Sequence, residues 1–186
     1  MSIIKDGSGT GNTLRINEEN RADVESVTRT IDQHINEIYE KTFSISLDGI
    51  DPVGADDYFY YMKNTGTKNI HIEDMMVRST VAGSVELHHV TGTASFAAET
   101  AITPVNRYLG SANSLTAVTS ADTNTTGLTN AGTLCYLRCA VANTDYHIDI
   151  TSHIIIPPGQ AMALLWDTGT GALTATMTVY EDQGIT

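Results

Sequence analysis

The feature that most constrains this chain is a sustained alternation of apolar and polar residues with a period of two. It begins at Phe43, Ile45 and Leu47, which alternate with serines, and it is still present in residues 173–180. A period of two places successive side chains on opposite faces of a β-strand. Because the strand-like segments are separated by short turn sequences, residues 41–186 are predicted to form an antiparallel β-sandwich. About eight strands in a jelly-roll-like arrangement are expected.

Composition supports an all-β chain and excludes two classes of partner. The 186 residues include 27 threonines, which suit exposed strand faces. Acidic residues number 22 against 10 basic ones, so the formal net charge is −12 and the surface repels phosphate backbones. No stretch approaches the ~20 apolar residues of a membrane-spanning helix. We therefore expect neither a nucleic-acid partner nor a membrane partner.

Two segments of the predicted sandwich are weaker than the rest. Residues 100–110 contain Pro104, which favours an edge strand or the start of a strand. Residues 110–132 are rich in Ser, Thr, Asn, Ala and Gly and predict a long loop. In the last strand, the side chains of Leu173, Ala175, Met177 and Val179 are predicted to share one face.

Residues 1–40 do not follow the period of two and form a separate N-terminal arm. Its first 13 residues are rich in Gly, Ser and Thr and predict a mobile, extended segment. Further along the arm, residues 14–16 could form a short hairpin with residues 23–27. A stripe at Val24, Val27, Ile31 and Ile38 lies near heptad spacing and predicts a short amphipathic helix. Since such a helix is too short to be stable alone, the stripe is the candidate oligomer contact.

Residues with catalytic or metal-binding potential are scattered along the chain. Cys135 and Cys139 share one strand face, but four residues of strand span about 13 Å, too far for a disulfide. They are predicted to be free thiols that fill the core. His88 and His89 should point to opposite faces of a strand, so they cannot chelate one ion together. We expect no catalytic activity, no cofactor and no metal.

An acidic loop and an aromatic run leave two alternatives open. The acidic residues of the loop could surround a calcium ion or face solvent: Asp48, Asp51, Asp56 and Asp57. The aromatic run 58–61 should alternate between faces, with two side chains in the core and two exposed. Together with Trp166, the exposed pair could line a glycan-binding site.

Four stretches of the chain carry a family resemblance. They are KDGSGTGNTLRINEENRADVESVT at 5–28, YMKNTGTKNIHIEDMMV at 61–77, IIIPPGQAMALLWD at 154–167 and TATMTVYED at 174–182. In their order they resemble virion structural proteins of tailed bacteriophages. The similarity is to capsid decoration, or cement, proteins and to small head or tail-fibre-base proteins that join an N-terminal arm to a β-sandwich.

The resemblance implies a homotrimer on the outer capsid surface that binds the major capsid protein of the same phage and bridges neighbouring subunits. No apolar run of signal-peptide length opens the sequence, so synthesis is expected in the cytoplasm of the host bacterium. The arm residues expected to dock on the capsid are Ile3, Ile4, Lys5, Leu14, Arg15 and Ile16. The alternative is a tail- or fibre-associated module that binds a receptor or glycan.

Overall fold

The computed structural model describes residues 3–5, 13–15 and 31–182. The chain divides into two compact units, Met1–Thr30 and Ile31–Thr186. In the first unit, β1 (Ile3–Lys5) pairs antiparallel with β2 (Thr13–Arg15). The second unit holds one helix, α1 (Ile31–Tyr39), and ten strands that form two five-stranded sheets.

The strands of the second unit are antiparallel throughout. Their bounds are β3 Thr42–Ile50, β4 Asp57–Asn64, β5 Ile70–Ser79, β6 Gly83–Ser95, β7 Thr100–Ala101, β8 Val105–Asn106, β9 Ala117–Cys139, β10 Asp145–Ile156, β11 Ala161–Trp166 and β12 Leu173–Glu181. Sheet one has the order β10-β5-β12-β3-β8, and sheet two has the order β4-β11-β6-β9-β7.

This strand order is that of a jelly roll. Without the two-residue strands β7 and β8, each sheet keeps four strands, and the chain visits the sheets in the order one, two, one, two, two, one, two, one. Such a path winds a pair of Greek keys into a closed double sheet. The prediction of an all-β, jelly-roll-like sandwich is therefore confirmed.

The main core lies between the two sheets and follows the predicted period of two. The four side chains predicted to share a face of the last strand all belong to it: Leu173, Ala175, Met177 and Val179. Cys139 is buried in the same core and Cys135 packs against it, both as free thiols. Burial, with a smaller contribution from Asp167, raises the pKa of Cys139 to about 11, so this side chain is a neutral thiol at physiological pH.

The predicted loop at 110–132 is wrong for most of its length, because β9 begins at Ala117. The first part of β9, to Thr125, pairs with β4, and the part from Thr126 to Cys139 pairs with β6. Sheet two therefore curls so that β9 pairs with two of its strands, β4 and β6. The small, polar residues that suggested a loop allow close approach here, since Ala121 and Asp122 are both buried.

The curl of sheet two encloses a second apolar cluster on the side away from the main core. Tyr61, Val90 and Ala163 form its buried centre, and Tyr58 and Phe96 pack around them. The Asp122 carboxylate accepts hydrogen bonds from the backbone N–H groups of Ala97 and Ala98, which holds the segment after β6 against β9. We call this group the outer cluster.

Helix α1 packs on the sandwich through Ile35, which is 1% exposed. The helix ends where Glu40 adopts a left-handed conformation, with φ of 54°, and donates its N–H to the Asn36 carbonyl. Nine residues do not make a stable helix alone. Burial of Ile35 and hydrogen bonds from the Asn106 and Asn113 side chains to the Glu40 and Tyr39 carbonyls stabilise it.

Candidate interaction surface

The structure brings together five of the six arm residues predicted to dock. In the register of β1 and β2, Ile3 lies opposite Arg15, Ile4 opposite Leu14 and Lys5 opposite Thr13. Ile16 lies outside the described residues. This part of the arm is thus folded back on itself, so its reach is shorter than that of the fully extended segment expected from the sequence.

The predicted oligomer stripe is only partly described. Val24 and Val27 lie outside the described residues, and Ile31 is the first residue of α1. Ile38 is 56% exposed near the end of the same helix. Among the helical residues whose side chains the structure describes, Ile35 is the one buried against the sandwich.

Among the polar groups of sheet two, one hydrogen-bonded chain resembles a catalytic relay. Tyr58 Oη lies 3.0 Å from His88 Nδ1, and His88 Nε2 lies 2.8 Å from a carboxylate oxygen of Glu86. Because a carboxylate only accepts hydrogen bonds, His88 donates one to Glu86 from Nε2. Nδ1 of His88 then accepts the hydrogen bond that the Tyr58 hydroxyl donates. Burial, with a smaller contribution from Glu86, raises the pKa of Tyr58. The phenol is therefore a protonated donor, and the chain links β4 to β6 across β11.

His88 and His89 do point to opposite faces, as predicted. His88 lies opposite Ala163 of the outer cluster, whereas His89 lies opposite Met162 of the main core. His89 Nε2 lies 3.1 Å from the side-chain oxygen of Gln160.

Tyr58 and Tyr60 offer a matched test of the hydrogen bonds assigned in sheet two. The hydroxyl of Tyr60 is buried, and the described residues give it no hydrogen-bond partner. Tyr60→Phe is expected to raise the free energy of unfolding by about 1 kcal/mol, because a desolvated, unpaired hydroxyl is removed. Tyr58→Phe is expected to lower it by about 1 kcal/mol, because His88 loses its donor. Urea titration of both variants measures the difference, and equal shifts would contradict the assigned hydrogen bonds.

The buried hydroxyl of Tyr60 also predicts how stability depends on alkaline pH. Burial raises the pKa of Tyr60 above its usual value near 10. Above roughly pH 10 the unfolded chain loses a proton that the folded chain retains, so the free energy of unfolding falls as the pH rises. Urea titrations at a series of alkaline pH values should show a shallower fall for Tyr60→Phe than for the wild type. A fall of the same slope in both would contradict the burial of this phenol.

Three carboxylates of the acidic loop, those of Asp48, Asp51 and Asp57, hydrogen-bond to three separate groups rather than to one shared point. Asp51 accepts a hydrogen bond from the Gly171 N–H at 2.9 Å, and Asp57 accepts one from the Gly54 N–H at 2.6 Å. Asp48 accepts from the Thr174 hydroxyl. Within the described part of the chain, no group of three or more His, Cys, Asp or Glu side chains is arranged to hold a metal ion.

The predicted exposed pair in the aromatic run is wrong, because three of its four side chains are buried and the fourth, Tyr58, is half-buried. Phe59 occupies a β-bulge between Tyr58 and Tyr60, which breaks the alternation. The outer cluster then covers Tyr61. Trp166 is also buried, and its indole N–H donates to the Thr170 carbonyl at 3.1 Å. These residues therefore form no surface platform for a sugar.

An open apolar groove lies where β10 turns into β11, between the two sheets. Its volume is about 370 Å³. Apolar side chains line most of it: Leu134, Ile154, Ile155, Ile156, Pro157, Ala161 and Met162. Leu134 is the extra residue of a bulge in β9, and it is 46% exposed. Ile155, at 47% exposure, forms part of the opposite wall. We call this feature the β10 groove.

A rigid turn carries the most exposed large apolar side chain of the described residues, Leu109 at 89%. The Ser111 N–H donates to the Tyr108 carbonyl at 3.1 Å, and Gly110 has φ of 92°, which is the geometry of a type II turn. Asn106 accepts from the Tyr108 N–H and donates to the Glu40 carbonyl, both at 2.8 Å. We call residues 108–111 the Leu109 turn.

Sequence reasoning missed both of these surface features. The Leu109 turn lies inside the segment predicted as a weak edge strand, and its dipeptide Leu109-Gly110 was the available signal for a type II turn. The β10 groove unites residues of four strands and a turn. No local pattern could have shown that they meet.

Fold and surface together define the class of this chain as a jelly-roll β-sandwich with exposed apolar features at its edges. No protein-family model, curated protein or solved structure matches it. Within the described residues, no helix has the length and apolar character needed to span a bilayer.

Proposed function

We propose that this chain is a structural virion protein of a tailed bacteriophage: a capsid decoration, or cement, protein. In this proposal it binds the outer surface of the head, contacts the major capsid protein and bridges neighbouring capsid subunits as a homotrimer. Its work is mechanical: it holds adjacent subunits together and makes or breaks no covalent bond.

The observation that carries the proposal is the contrast between the interior and the surface. Side chains of the types used in catalysis or metal binding serve the fold: His88 links β6 to β4, Asp122 holds a segment against β9, and Asp51 accepts a hydrogen bond from another loop. Exposed apolar side chains lie at the surface of a chain whose net charge is −12: Ile38, Val105, Leu109, Tyr136 and Ile155. These side chains are the candidates for contact with other proteins.

The N-terminal hairpin provides the proposed contact with the capsid. An isolated two-stranded hairpin is marginally stable in water, so β1 and β2 gain stability by adding to a partner's sheet edge. Burial of Ile3, Ile4, Leu14 and Ile16 could contribute roughly 6–12 kcal/mol before the cost of ordering. Each residue that becomes fixed on binding costs about 1–2 kcal/mol, so a single arm binds weakly. Three arms on one trimer bind at high effective concentration.

Deletion of residues 2–20 tests the capsid contact. The truncated chain should keep its β-sheet circular dichroism and its oligomeric state but fail to rebind phage heads from which the native protein has been removed. Ile4→Asp combined with Leu14→Asp, a cross-strand pair, should reproduce the loss in the full-length chain. Co-sedimentation with heads measures occupancy. Unchanged occupancy of both variants would place the contact on the sandwich instead.

A further inference from the structure

The histidines His71 and His88 are both largely shielded from solvent, but they differ in their hydrogen bonds. His88 is 3% exposed, and its two ring nitrogens are paired with Tyr58 and Glu86. The His71 side chain is 14% exposed, and among the described residues neither of its buried ring nitrogens has a hydrogen-bond partner. Buried polar atoms in folded proteins are nearly always paired. An unpaired, buried imidazole is therefore a candidate for a group that acts by changing its protonation state.

Stacking on Tyr180 holds the His71 ring in place. The two residues lie opposite each other in the register of β5 and β12, and their ring centroids are 4.6 Å apart with an interplanar angle of 6°. Tyr180 is itself 4% exposed, so the stack lies away from bulk water. Because stacking uses the face of the imidazole and not its nitrogens, it positions the ring without satisfying either nitrogen.

The stacked pair lies at the ends of its two strands. His71 is the second residue of β5 and Tyr180 the second last of β12, so the pair Ile70–Glu181 separates the stack from the strand ends. Two contacts with Lys41 close this end. The Glu181 N–H donates to the Lys41 carbonyl at 3.0 Å, and the Lys41 ammonium lies 3.0 Å from the Glu181 carboxylate. Strand ends open locally at a smaller free-energy cost than strand centres, so this end can separate while the rest of the sheet stays paired.

The charged side chains described around the imidazole do not supply the missing partner. From β12, the Asp182 carboxylate lies 4.0 Å from Nε2, beyond hydrogen-bond distance, and is 35% exposed. The next charged side chain along β5 is Glu73, and the residue opposite on β10 is Ile155. The side chains of residues 151–153 lie outside the described ones. Burial lowers the pKa of His71 from its usual value near 6.5, and a smaller effect of Asp182 opposes this, so the ring is neutral at physiological pH.

We propose that protonation of His71 in mild acid opens the end of β12, residues 180–182. An imidazolium carries two N–H donors, and the described part of the chain gives neither of them an acceptor while the rings are stacked. A buried charge without a partner is costly, so the ring leaves the stack to reach water. The last residues of β12 then separate from β5.

Opening of this end also loosens helix α1. The helix packs on β3 and β12, and Lys41 lies in the link from α1 to β3. On the helix, the charged side chain that the structure describes is Glu37, which is exposed. The acid response is a property of the sandwich and does not require the proposed virion role.

NMR on the full-length chain measures the protonation step. The Cε1–H signal of His71, assigned by its absence from His71→Phe, should titrate with a midpoint below ~6.5. Asp182→Asn should lower the midpoint further, because the Asp182 carboxylate stabilises the imidazolium. A wild-type midpoint at or above ~6.5, or one that fails to fall in Asp182→Asn, would overturn the proposal.

Hydrogen exchange measures the opening itself. Between the pKa values of the open and closed states the open state binds more protons, so opening becomes easier as the pH falls. The amides of Glu181 and Asp182, which donate to the Lys41 and Asn69 carbonyls, report on it. From about pH 7.5 to about pH 5.5 their protection factors should fall by up to roughly tenfold. Those of residues 175–177, in the centre of the same strand, should stay constant.

Two variants assign this loss to His71. His71→Phe keeps an aromatic ring on Tyr180 but cannot bind a proton, so the two amides should be equally protected at both pH values. His147→Phe is the matched control, because His147 is an exposed histidine of β10 in the same sheet, and it should show the wild-type loss. The proposal is wrong if His71→Phe loses protection as the wild type does. It is also wrong if protection falls equally in the strand centre, because the acid response would then be global unfolding.

Discussion

Alanine at Gly127 is expected to destabilise the sandwich by roughly 3 kcal/mol or more, the combined effect of a strained backbone and a steric clash. Gly127 has φ of 75° at the point where β9 passes from β4 to β6. A Cβ atom there would lie 2.4 Å from the Thr93 carbonyl oxygen, and one at the facing Gly92 would lie 2.4 Å from the Gly127 carbonyl oxygen. The contacts are with backbone atoms, so no side chain can rotate away.

Gly132→Ala is the matched control for this prediction. Gly132 lies in the same strand, and a Cβ atom built there has no neighbour within 4 Å. Its substitution should change the free energy of unfolding by less than about 1 kcal/mol, as measured by denaturant titration of both variants. Similar stabilities for the two alanine variants would contradict the close approach of the β6 and β9 backbones at Gly92 and Gly127.

Replacing Trp166 by alanine is expected to cost about 3–5 kcal/mol, because the largest fully buried side chain is removed from the main core. The ring fills space that Gly83 leaves open, since a Cβ atom on Gly83 would lie 2.6 Å from it. The indole hydrogen bond to Thr170 is lost as well.

At ~2–4 °C per kcal/mol for a chain of this size, the melting temperature of Trp166→Ala should fall by roughly 6–20 °C. Tyr136→Ala is the control, because Tyr136 is an aromatic residue of the same sheet, in β9, and is 62% exposed. Calorimetry should show almost no shift for it. A Trp166→Ala variant that melts within 2 °C of the wild type would argue against this core, by the same ~2–4 °C scale.

The sequence predicted the fold where one face of a strand meets the core and the other meets solvent. Residues 43–47 and 173–179 are of this kind, and their alternation gave both the strands and their inward faces. The alternation failed in sheet two, where β9 curls over the far face. There Tyr61 is buried on the side expected to be exposed, and polar Asp122 is buried as well.

The Leu109 turn and the β10 groove were beyond prediction for a different physical reason. Leu109 is exposed because side-chain hydrogen bonds from Asn106 fix its turn, and Leu134 is exposed because it is a bulge residue. Both depend on neighbours distant in sequence. The docking role of Ile4 and Leu14 stays a prediction, made because apolar side chains flank a glycine-rich segment.

Electron cryomicroscopy of the intact phage particle tests the central claim most directly. Density for this sandwich is expected on the outer surface of the head, in groups of three copies that bridge neighbouring capsid subunits. The N-terminal hairpins should extend into the shell. Density for the chain confined to the tail or fibres, or particles that lack the chain altogether, would contradict the account.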